Sequence, residues 1–380
     1  MMECDVAILG DGVAGKVARL VLGQQAPQLR VVTLGPAVKP CAVPRIGEQL
    51  SSSAEPILKS LALWPSFSQQ DYIEVNTAFS VWGSALLQER HRLGTQSVGG
   101  WSLDRRHFEA WLDNEVNDKT AVRRINTTAR KLVFAADKVL IELGAQGTLK
   151  AGFVIDATGR RAAVASRQTS RSKLDRLIGA YNYFRQVDDG VEPTTGPLIE
   201  AQPEGWLYSA LLPQRRMVVC WFTDIDLLPK RLDKTQRARD WRERLLASDF
   251  TRRRLTSAGY DIHRPEFSIG FHAEASTQVN RAVFGTRWLA VGDAALAVDP
   301  LSSHGIVTAL WSGKVGAEAV IAALRGNRDL MTSYGADLQR GIEQYVQDRR
   351  RYYGAEARFS DQVFWLRRHA GESLGGAAAH

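Results

Sequence analysis

The chain has 380 residues, of which 44% are hydrophobic and 24% are charged, and its formal net charge is +8 at pH 7. This composition is typical of a soluble globular protein and excludes a disordered chain. Apolar runs such as residues 288–291 and 316–324 are much shorter than the roughly 20 residues that cross a bilayer, so no membrane span is expected.

The N-terminus lacks the pattern of a secretory signal, which predicts a cytoplasmic location. Cys4, Cys41 and Cys220 are far apart, and their spacing fits neither a disulfide framework nor a zinc site, so no metal is expected. Arginines are concentrated in residues 231–254 and again at 349–351, which indicates either solvated helix faces or a surface that steers an acidic partner. No nucleic-acid module accompanies this charge, so no nucleic-acid partner is expected.

The first predicted element is an apolar strand that passes through a glycine turn into a helix, with the sequence VAILGDGVAG. Gly10 permits the tight turn, Gly12 lets the backbone approach a pyrophosphate, and Gly15 lets the helix pack closely on the strand. The helix starts at Val13 and Ala14, where free amides can hold phosphates. The segment predicts a dinucleotide site; the alternative is a strand and helix that merely contain glycines.

A second strand, predicted over residues 29–34, ends at Gly35, where a dinucleotide site normally presents an acid to the adenosine ribose. Because that acid is absent, we expect loose cofactor binding. The next loop places Arg45 and Glu48 on either side of Gly47, as an exposed helix-entry pair or as a pair close to a ligand.

Further along the chain, the patterns predict a helix over 52–63, a strand over 71–82, a helix capped by Ser102 or Asp104, and a small antiparallel sheet over 121–155. Aromatic strands over 205–213 and 217–223 indicate core or an apolar substrate cavity. Residues 334–368 are predicted to be helical, and residues 371–380 to form a frayed tail.

Two more strand ends carry glycine turns. The strand before Asp156, Ala157 and Gly159 ends in a small-residue turn, and a later strand ends at Gly292 and Asp293. A long amphipathic helix then begins at Gly305, and its positive end points at residues 300–304. Because the three turns are far apart in the chain, the cofactor domain must be assembled from distant segments.

In order and spacing, these three motifs resemble those of the FAD-dependent monooxygenases of the para-hydroxybenzoate hydroxylase fold, a group that includes flavin-dependent halogenases and geranylgeranyl-reductase-like enzymes. The resemblance covers roughly residues 1–330. It implies an α/β fold in which a Rossmann-like FAD-binding domain with a parallel sheet is interleaved with a mainly antiparallel substrate domain. The implied FAD-binding domain comprises 1–60, 100–180 and 270–330; the substrate domain comprises 61–99 and 181–269; and 331–380 form a C-terminal helical segment and tail.

The resemblance also implies roles for single residues. Gly292 and Asp293 would contact the FAD ribityl chain and pyrophosphate, and residues 300–305 would run along the isoalloxazine. Arg45 matches a flavin-contacting arginine, and Arg105 matches an Asp-Arg helix entry. The full set of implied cofactor residues is Gly10, Gly12, Val13, Ala14, Gly15, Arg45, Arg105, Asp156, Ala157, Gly159, Gly292, Asp293, Pro300, Ser303, Gly305 and Ile306.

The chain departs from the halogenases at two places. Their Trp-x-Trp-x-Ile-Pro signature is only half matched by Trp206, Tyr208 and the distant Pro213, and residues 70–91 contain no counterpart of their catalytic lysine. In contrast, the Gly-Glu-Gln segment at 47–49 and the Ser-Ser-His-Gly segment at 302–305 resemble a branch that matures tryptophylquinone-dependent amine and amino-acid oxidases by oxygenating a tryptophan in the partner protein.

The resulting prediction is an FAD-dependent monooxygenase that hydroxylates an electron-rich aromatic ring through a hydroperoxide on flavin C4a, with electrons from NAD(P)H or a separate flavin reductase. The predicted substrate is a tryptophan side chain of a tryptophylquinone oxidase precursor during cysteine tryptophylquinone biogenesis. The alternatives are a hydroxylase or halogenase of a free aromatic metabolite, and a flavin-dependent reductase. His304 and Glu48 are the candidate catalytic residues; the alternative for His304 is a loop histidine bonded to backbone.

Overall fold

The computed structural model describes residues 2–36, 44–92, 99–187, 190, 194–229, 233–268 and 270–370. Its strands, in chain order, are β1 (Met2–Leu9), β2 (Val31–Gly35), β3 (Gln49–Ser51), β4 (Ile73–Val75), β5 (Thr77–Val81), β6 (Gln88–His91), β7 (Gly100–Ser102), β8 (Arg123–Asn126), β9 (Lys131–Phe134), β10 (Val139–Glu142), β11 (Thr148–Asp156), β12 (Arg171–Lys173), β13 (Leu177–Arg185), β14 (Leu198–Gln202), β15 (Gly205–Leu212), β16 (Arg216–Asp224), β17 (Phe271–Glu274), β18 (Gln278–Asn280), β19 (Trp288–Ala290) and β20 (Leu296–Ala297). The helices are α1 (Val13–Gln25), α2 (Ala54–Ser60), α3 (Trp64–Phe67), α4 (Arg105–Lys119), α5 (Ala165–Gln168), α6 (Lys234–Ala247), α7 (Phe250–Ser257), α8 (Gly305–Leu324), α9 (Asp329–Gly354) and α10 (Val363–His369).

The first large sheet has a parallel centre. Strands β8, β2, β1 and β11 are adjacent and parallel in that order, and β19 pairs in parallel with the second half of β11. The first half of β11 pairs antiparallel with β10, which pairs with β9. Because β1, β11 and β19 run in the same direction, the turns that follow them meet at one edge of the sheet.

Helices α1 and α8 cover this sheet together. Residues 13–22 of α1 are all buried, including Lys16 and Arg19, whose cationic groups pair with Asp113. By length and composition, α8 is the one described helix that is apolar enough to cross a bilayer. It packs against α1 and α9, and half of its most apolar stretch is buried inside the protein, as in a core helix. Thr308, Ser312 and Lys314 interrupt the apolar runs of this helix in the sequence.

The second large sheet has the order β17, β13, β16, β15, β14, β5 and β6, and all of its pairings are antiparallel except that of β14 with β5. On one face, Phe184 and Trp221 pack against α6 and α7. On the other face, Tyr181 and Trp206 pack in a cluster that includes Tyr353 of α9 and two aromatic residues of α10. The aromatic strands are therefore core on both faces.

The α/β architecture agrees with the predicted fold class, and one local prediction was wrong. The segment 121–155 is not a small antiparallel sheet throughout, because β8 pairs in parallel with β2 and the end of β11 lies at the centre of the parallel sheet. The proposed division into a discontinuous cofactor domain and an inserted substrate domain stays a proposal. The tail over 371–380 and Cys41 lie outside the described residues; Cys4 and Cys220 are free and buried.

Candidate active site

Two glycines of the first motif are required by the packing of the turns themselves. Gly10 has φ +110°, and a Cβ added there would lie 2.1 Å from the carbonyl oxygen of Ala157. A Cβ at Gly15 would lie 2.2 Å from the carbonyl oxygen of Gly10. The turn after β1 therefore packs directly on the turn after β11, which leaves no room for a side chain at either position.

Other glycines at this edge face open space. A Cβ added at Gly12, Gly159 or Gly305 would meet no other atom within 4 Å. The backbone of Gly12 is extended, with φ −81° and ψ −173°, so any residue type fits its conformation. This open backbone is the form that a pyrophosphate site requires, and the residues present therefore fit a bound dinucleotide such as FAD.

The helices that begin at this edge lack the usual caps. Neither α1 nor α8 has a capping side chain or an acidic residue in its first turn. In contrast, Asp104 caps α4, and Asp233 forms a capping box at the start of α6. Uncapped helix N-termini leave backbone amides and the positive end of the helix dipole available to an anion. Val13, Ala14, Gly305 and Ile306, all predicted cofactor residues, lie in these two first turns.

Two predicted cofactor acids have different surroundings. The Asp156 carboxylate is fully buried and accepts hydrogen bonds from the amides of Thr158, Val164 and Ala165, so it closes its own loop rather than facing a ligand. The side chain of Asp293 is 38% exposed and lies 3.7 Å from Arg160 Nε.

The third turn is held against the first. Gly292 has φ +59°, and a Cβ added there would lie 2.9 Å from Ala14 Cβ. Pro300 begins a short 3-10 turn that ends at Ser303, and Ser303 has φ +54°. These contacts bring residues near 10, 157 and 292 together, as the sequence predicted.

The side chain of Asp11, from the first glycine turn, lies beside Gly35, the position at which the expected ribose-binding acid is absent. A Cβ at Gly35 would lie 2.7 Å from Asp11 Cβ. Asp11 Oδ2 accepts a hydrogen bond from Arg124 Nε at 2.6 Å, and Asp11 Oδ1 is buried without a hydrogen-bond partner among the described residues. Sequence reasoning missed Arg124 because it placed β8 in an antiparallel sheet, and it missed Asp11 because the residue was counted only as part of the turn.

The loop that carries Arg45 and Glu48 is attached to the second sheet. The hydroxyl of Tyr181 donates to the carbonyl of Pro44 at 2.9 Å, and that of Tyr183 donates to the carbonyl of Arg45 at 3.3 Å. The chain then continues from Glu48 into β3, which packs against α8. These contacts place Glu48 between the two large sheets.

A cavity of about 290 Å³ lies at this junction. We call it the Glu48 cavity; its lining residues are Pro44, Arg45, Glu48, Asp104, Arg105, Arg106, His107, Tyr183, Arg185, Leu212, Arg216, Glu266 and Phe267. Glu48 is 2% exposed, and its Oε1 has no hydrogen-bond partner among the described residues. Burial raises the pKa of the Glu48 carboxyl to about 7, although the backbone amides of Gly47 and Glu48 and the nearby Arg105 oppose the shift. The group can therefore gain or lose a proton near neutral pH.

His304 lies apart from this cavity. It is exposed immediately before α8, and its ring makes no hydrogen bond within the described part of the chain. The alternative in which the ring is bonded to backbone is therefore not seen. Predicted site residues thus form two groups: the glycine turns with the start of α8, and the Glu48 cavity with Arg45 and Arg105.

Comparison with known proteins identifies the class. The tryptophan halogenase family matches residues 63–375, so the chain belongs to this family of flavin enzymes. This agrees with the open glycine turns and confirms the predicted FAD-dependent oxidoreductase.

Individual relatives cover nearly the whole chain. LodB of Marinomonas mediterranea, which is described as an FAD-dependent oxidoreductase, is 28% identical over 98% of this chain and 99% of its own. The myxobacterial chondrochloren halogenase CndH has a TM-score of 0.83 and 18% identity, covering 97% of this chain and 86% of its own. QhpG, a peptidyl tryptophan dihydroxylase essential for tryptophylquinone cofactor biogenesis, has a TM-score of 0.74 and 23% identity, covering 96% of this chain and 78% of its own. The two structures support the fold.

Proposed function

We propose that this protein uses FAD to hydroxylate a tryptophan side chain of a partner protein, the precursor of a tryptophylquinone oxidase. The observation that carries the proposal is the Glu48 cavity, where a buried carboxyl with a pKa near 7 shares a mostly charged lining with Tyr183, Leu212 and Phe267. The similarity to QhpG, a peptidyl tryptophan dihydroxylase, supports a partner protein as the source of the tryptophan.

The residues that would hold FAD are those of the open edge. Gly12 and Gly159 would allow close backbone approach to the pyrophosphate, and the uncapped amides at the starts of α1 and α8 would stabilise negative charge on the cofactor. When bound, FAD supplies the activation of dioxygen and the transfer of one oxygen atom. The other oxygen leaves as water, and the two electrons come from NAD(P)H or a reduced flavin carrier.

Glu48 is the proposed proton acceptor. Replacing an aromatic C–H by C–OH requires the ring carbon to lose its proton after the C–O bond forms, and the ionised Glu48 carboxylate would accept that proton. Its burial keeps water away from the group and so preserves its strength as a base. Tyr183 and Phe267 would hold the flat ring by stacking or edge contacts.

His304 has a different proposed part. Its exposed ring at the start of α8 would carry protons between the site and solvent. Because it does not line the Glu48 cavity, it is not proposed to touch the aromatic substrate.

Halogenation is the second candidate, favoured by family membership. Against it, no lysine lines the Glu48 cavity within the described residues, and the strands β4 and β5 contain none. The proposal therefore favours direct transfer of oxygen to the ring.

The test is to express the oxidase precursor with and without this protein, and then to measure the intact mass and the quinone absorbance of the purified oxidase. We expect added oxygen on the precursor tryptophan, and the quinone band, only when both are present. Equal maturation without this protein would overturn the proposal. A product that gains chlorine or bromine when halide is supplied would replace hydroxylation by halogenation.

A further inference from the structure

The lining of the Glu48 cavity carries more guanidinium groups than carboxylates among the described residues. Its arginines are Arg45, Arg105, Arg106, Arg185 and Arg216. The acidic residues that line the cavity, apart from Glu48, are Asp104 and Glu266. Glu109 of α4 does not line it but pairs with two of the arginines.

Two carboxylates are each shared between two arginines. Glu109 Oε2 lies 2.7 Å from Arg45 Nη1, and its Oε1 lies 2.8 Å from Arg105 Nε. In the same way, the Glu266 carboxylate lies 2.8 Å from Arg216 Nη2 and 3.2 Å from Arg185 Nη2. At each of these two places, one negative charge thus lies between two positive charges.

The remaining carboxylate does not balance this excess. Asp104 Oδ1 caps α4 by accepting hydrogen bonds from the amides of Arg106 and His107, and Oδ2 lies 3.5 Å from Arg216 Nη1. The Arg106 guanidinium has no carboxylate partner among the described residues. Counting Glu48, five guanidinium groups therefore lie near four carboxyl groups among the described residues. The rim of the cavity is formed by Arg45 and Arg185, which are 66% and 59% exposed, and by the exposed Arg106.

The interior and the rim of the cavity suit different parts of one ligand. Inside are the buried carboxyl of Glu48, whose Oε1 has no hydrogen-bond partner among the described residues, and the side chains of Tyr183, Leu212 and Phe267. This combination suits an aromatic ring with an N–H donor, whereas the rim suits carboxylates, which arginine binds in a bidentate manner. We infer that the cavity takes a tryptophan flanked in its own chain by acidic residues, and this inference rests on the proposed function.

The basic helix α6 does not provide the same arrangement. On α6, Arg239 pairs with Glu243, and Arg244 pairs with Asp240 and Glu204. This helix lies against the opposite face of the second sheet from the aromatic cluster that includes Tyr181. Arg239 therefore offers a control for Arg185: both are exposed arginines with a carboxylate partner, but Arg239 does not line the cavity.

The experiment uses the FAD-loaded protein and two fluorescein-labelled peptides of equal length, each with one central tryptophan. In one peptide glutamates flank the tryptophan, and in the other glutamines do. Binding is followed by fluorescence anisotropy. Oxygen transfer is followed separately by mass, in air, with NAD(P)H and a flavin reductase supplied to reduce the FAD. Paired surface charges contribute modestly, so we expect the glutamate peptide to bind about tenfold more tightly at low salt. The preference should shrink as added salt shortens the Debye length.

The double variant R106Q/R185Q should reduce that preference to about threefold or less, whereas R239Q should retain it. Equal affinity for the two peptides, or equal loss in R239Q, would overturn the inference. The two levels of the proposal fail differently. Oxygen transfer to both peptides without a charge preference overturns only the inference, and tight binding of the glutamate peptide without any oxygen transfer overturns only the proposed function.

Discussion

The carboxyl edge of the first sheet and the Glu48 cavity are built from different parts of the polypeptide. At the edge, backbone from three turns is brought together, and the essential feature is the absence of side chains at Gly12, Gly159 and Gly305. In the cavity, side chains from several separate segments converge, and the essential feature is their charge and burial. The edge should therefore be sensitive to added atoms, and the cavity to changes in charge.

The largest expected effect comes from adding a side chain at the edge. In G12V, the new side chain points into space that is open in the protein. The free energy of unfolding should therefore fall by no more than about 1 kcal/mol, the usual cost at a helix N-cap. FAD affinity should fall by about 100-fold, because losing one or two hydrogen bonds to a charged phosphate costs roughly 3 kcal/mol. Flavin fluorescence titration and thermal unfolding measure the two effects.

The matched glycine variants separate binding from folding. G10A should lose more than about 3 kcal/mol of stability, since its Cβ would overlap the Ala157 carbonyl and its φ is +110°. G341A in α9 faces open space in a helix and should leave FAD binding unchanged. Tight FAD binding by G12V would show that the open edge is not the pyrophosphate site.

The next effect concerns charge in the cavity. The E48Q variant should slow oxygen transfer by about 100-fold, the usual contribution of a general base. In the wild type the rate should rise as pH passes 7, where Glu48 ionises, and this rise should be absent in the variant. E243Q on α6 is the control and should keep the wild-type pH profile. An unchanged profile in E48Q would exclude Glu48 as the proton acceptor.

The same substitution should increase stability at high pH. The folded pKa of Glu48, about 7, exceeds the ordinary value of 4.5, so the unfolded chain releases this proton first as pH rises. The wild type therefore loses stability between about pH 4.5 and 7, by up to about 3 kcal/mol, and loses no more above that range. Denaturant unfolding should show E48Q to be more stable than wild type at pH 8, with less than about 1 kcal/mol of difference at pH 5. No gain at pH 8 would contradict the raised pKa.

The smallest expected effect on FAD binding comes from the Asp11 side chain at the edge of the first sheet. Asp11 Oδ1 is a buried acceptor at the end of β2, the position at which dinucleotide sites bind the ribose. D11N should weaken FAD binding by about tenfold, which corresponds to about 1.4 kcal/mol. The control is D113N. Asp113, like Asp11, pairs with Lys16, but it lies on α4, so the FAD affinity of D113N should equal that of the wild type. Equal affinities in D11N and wild type would exclude this role.

The sequence by itself determined the turns and their order. Gly10, Gly12 and Gly15 are identified by their spacing because the strand, the turn and the helix follow one another in the chain. The conformation of each of these elements depends mainly on residues close in sequence. The strand ends before Asp156 and Gly292 were predicted for the same reason. The family resemblance, which the match over residues 63–375 supports, followed from those three motifs.

Only the tertiary structure decided which strands are neighbours and which side chains meet. The parallel pairing of β8 with β2 brings Arg124 to Asp11, although the two residues are 113 positions apart. The sharing of Glu266 between Arg185 and Arg216 likewise depends on how the strands and loops of the second sheet meet. Local periodicity specifies whether a segment forms a strand, but strand pairing and long-range ion pairs are fixed by packing of the whole core, and so the Glu48 cavity could not be predicted from the sequence.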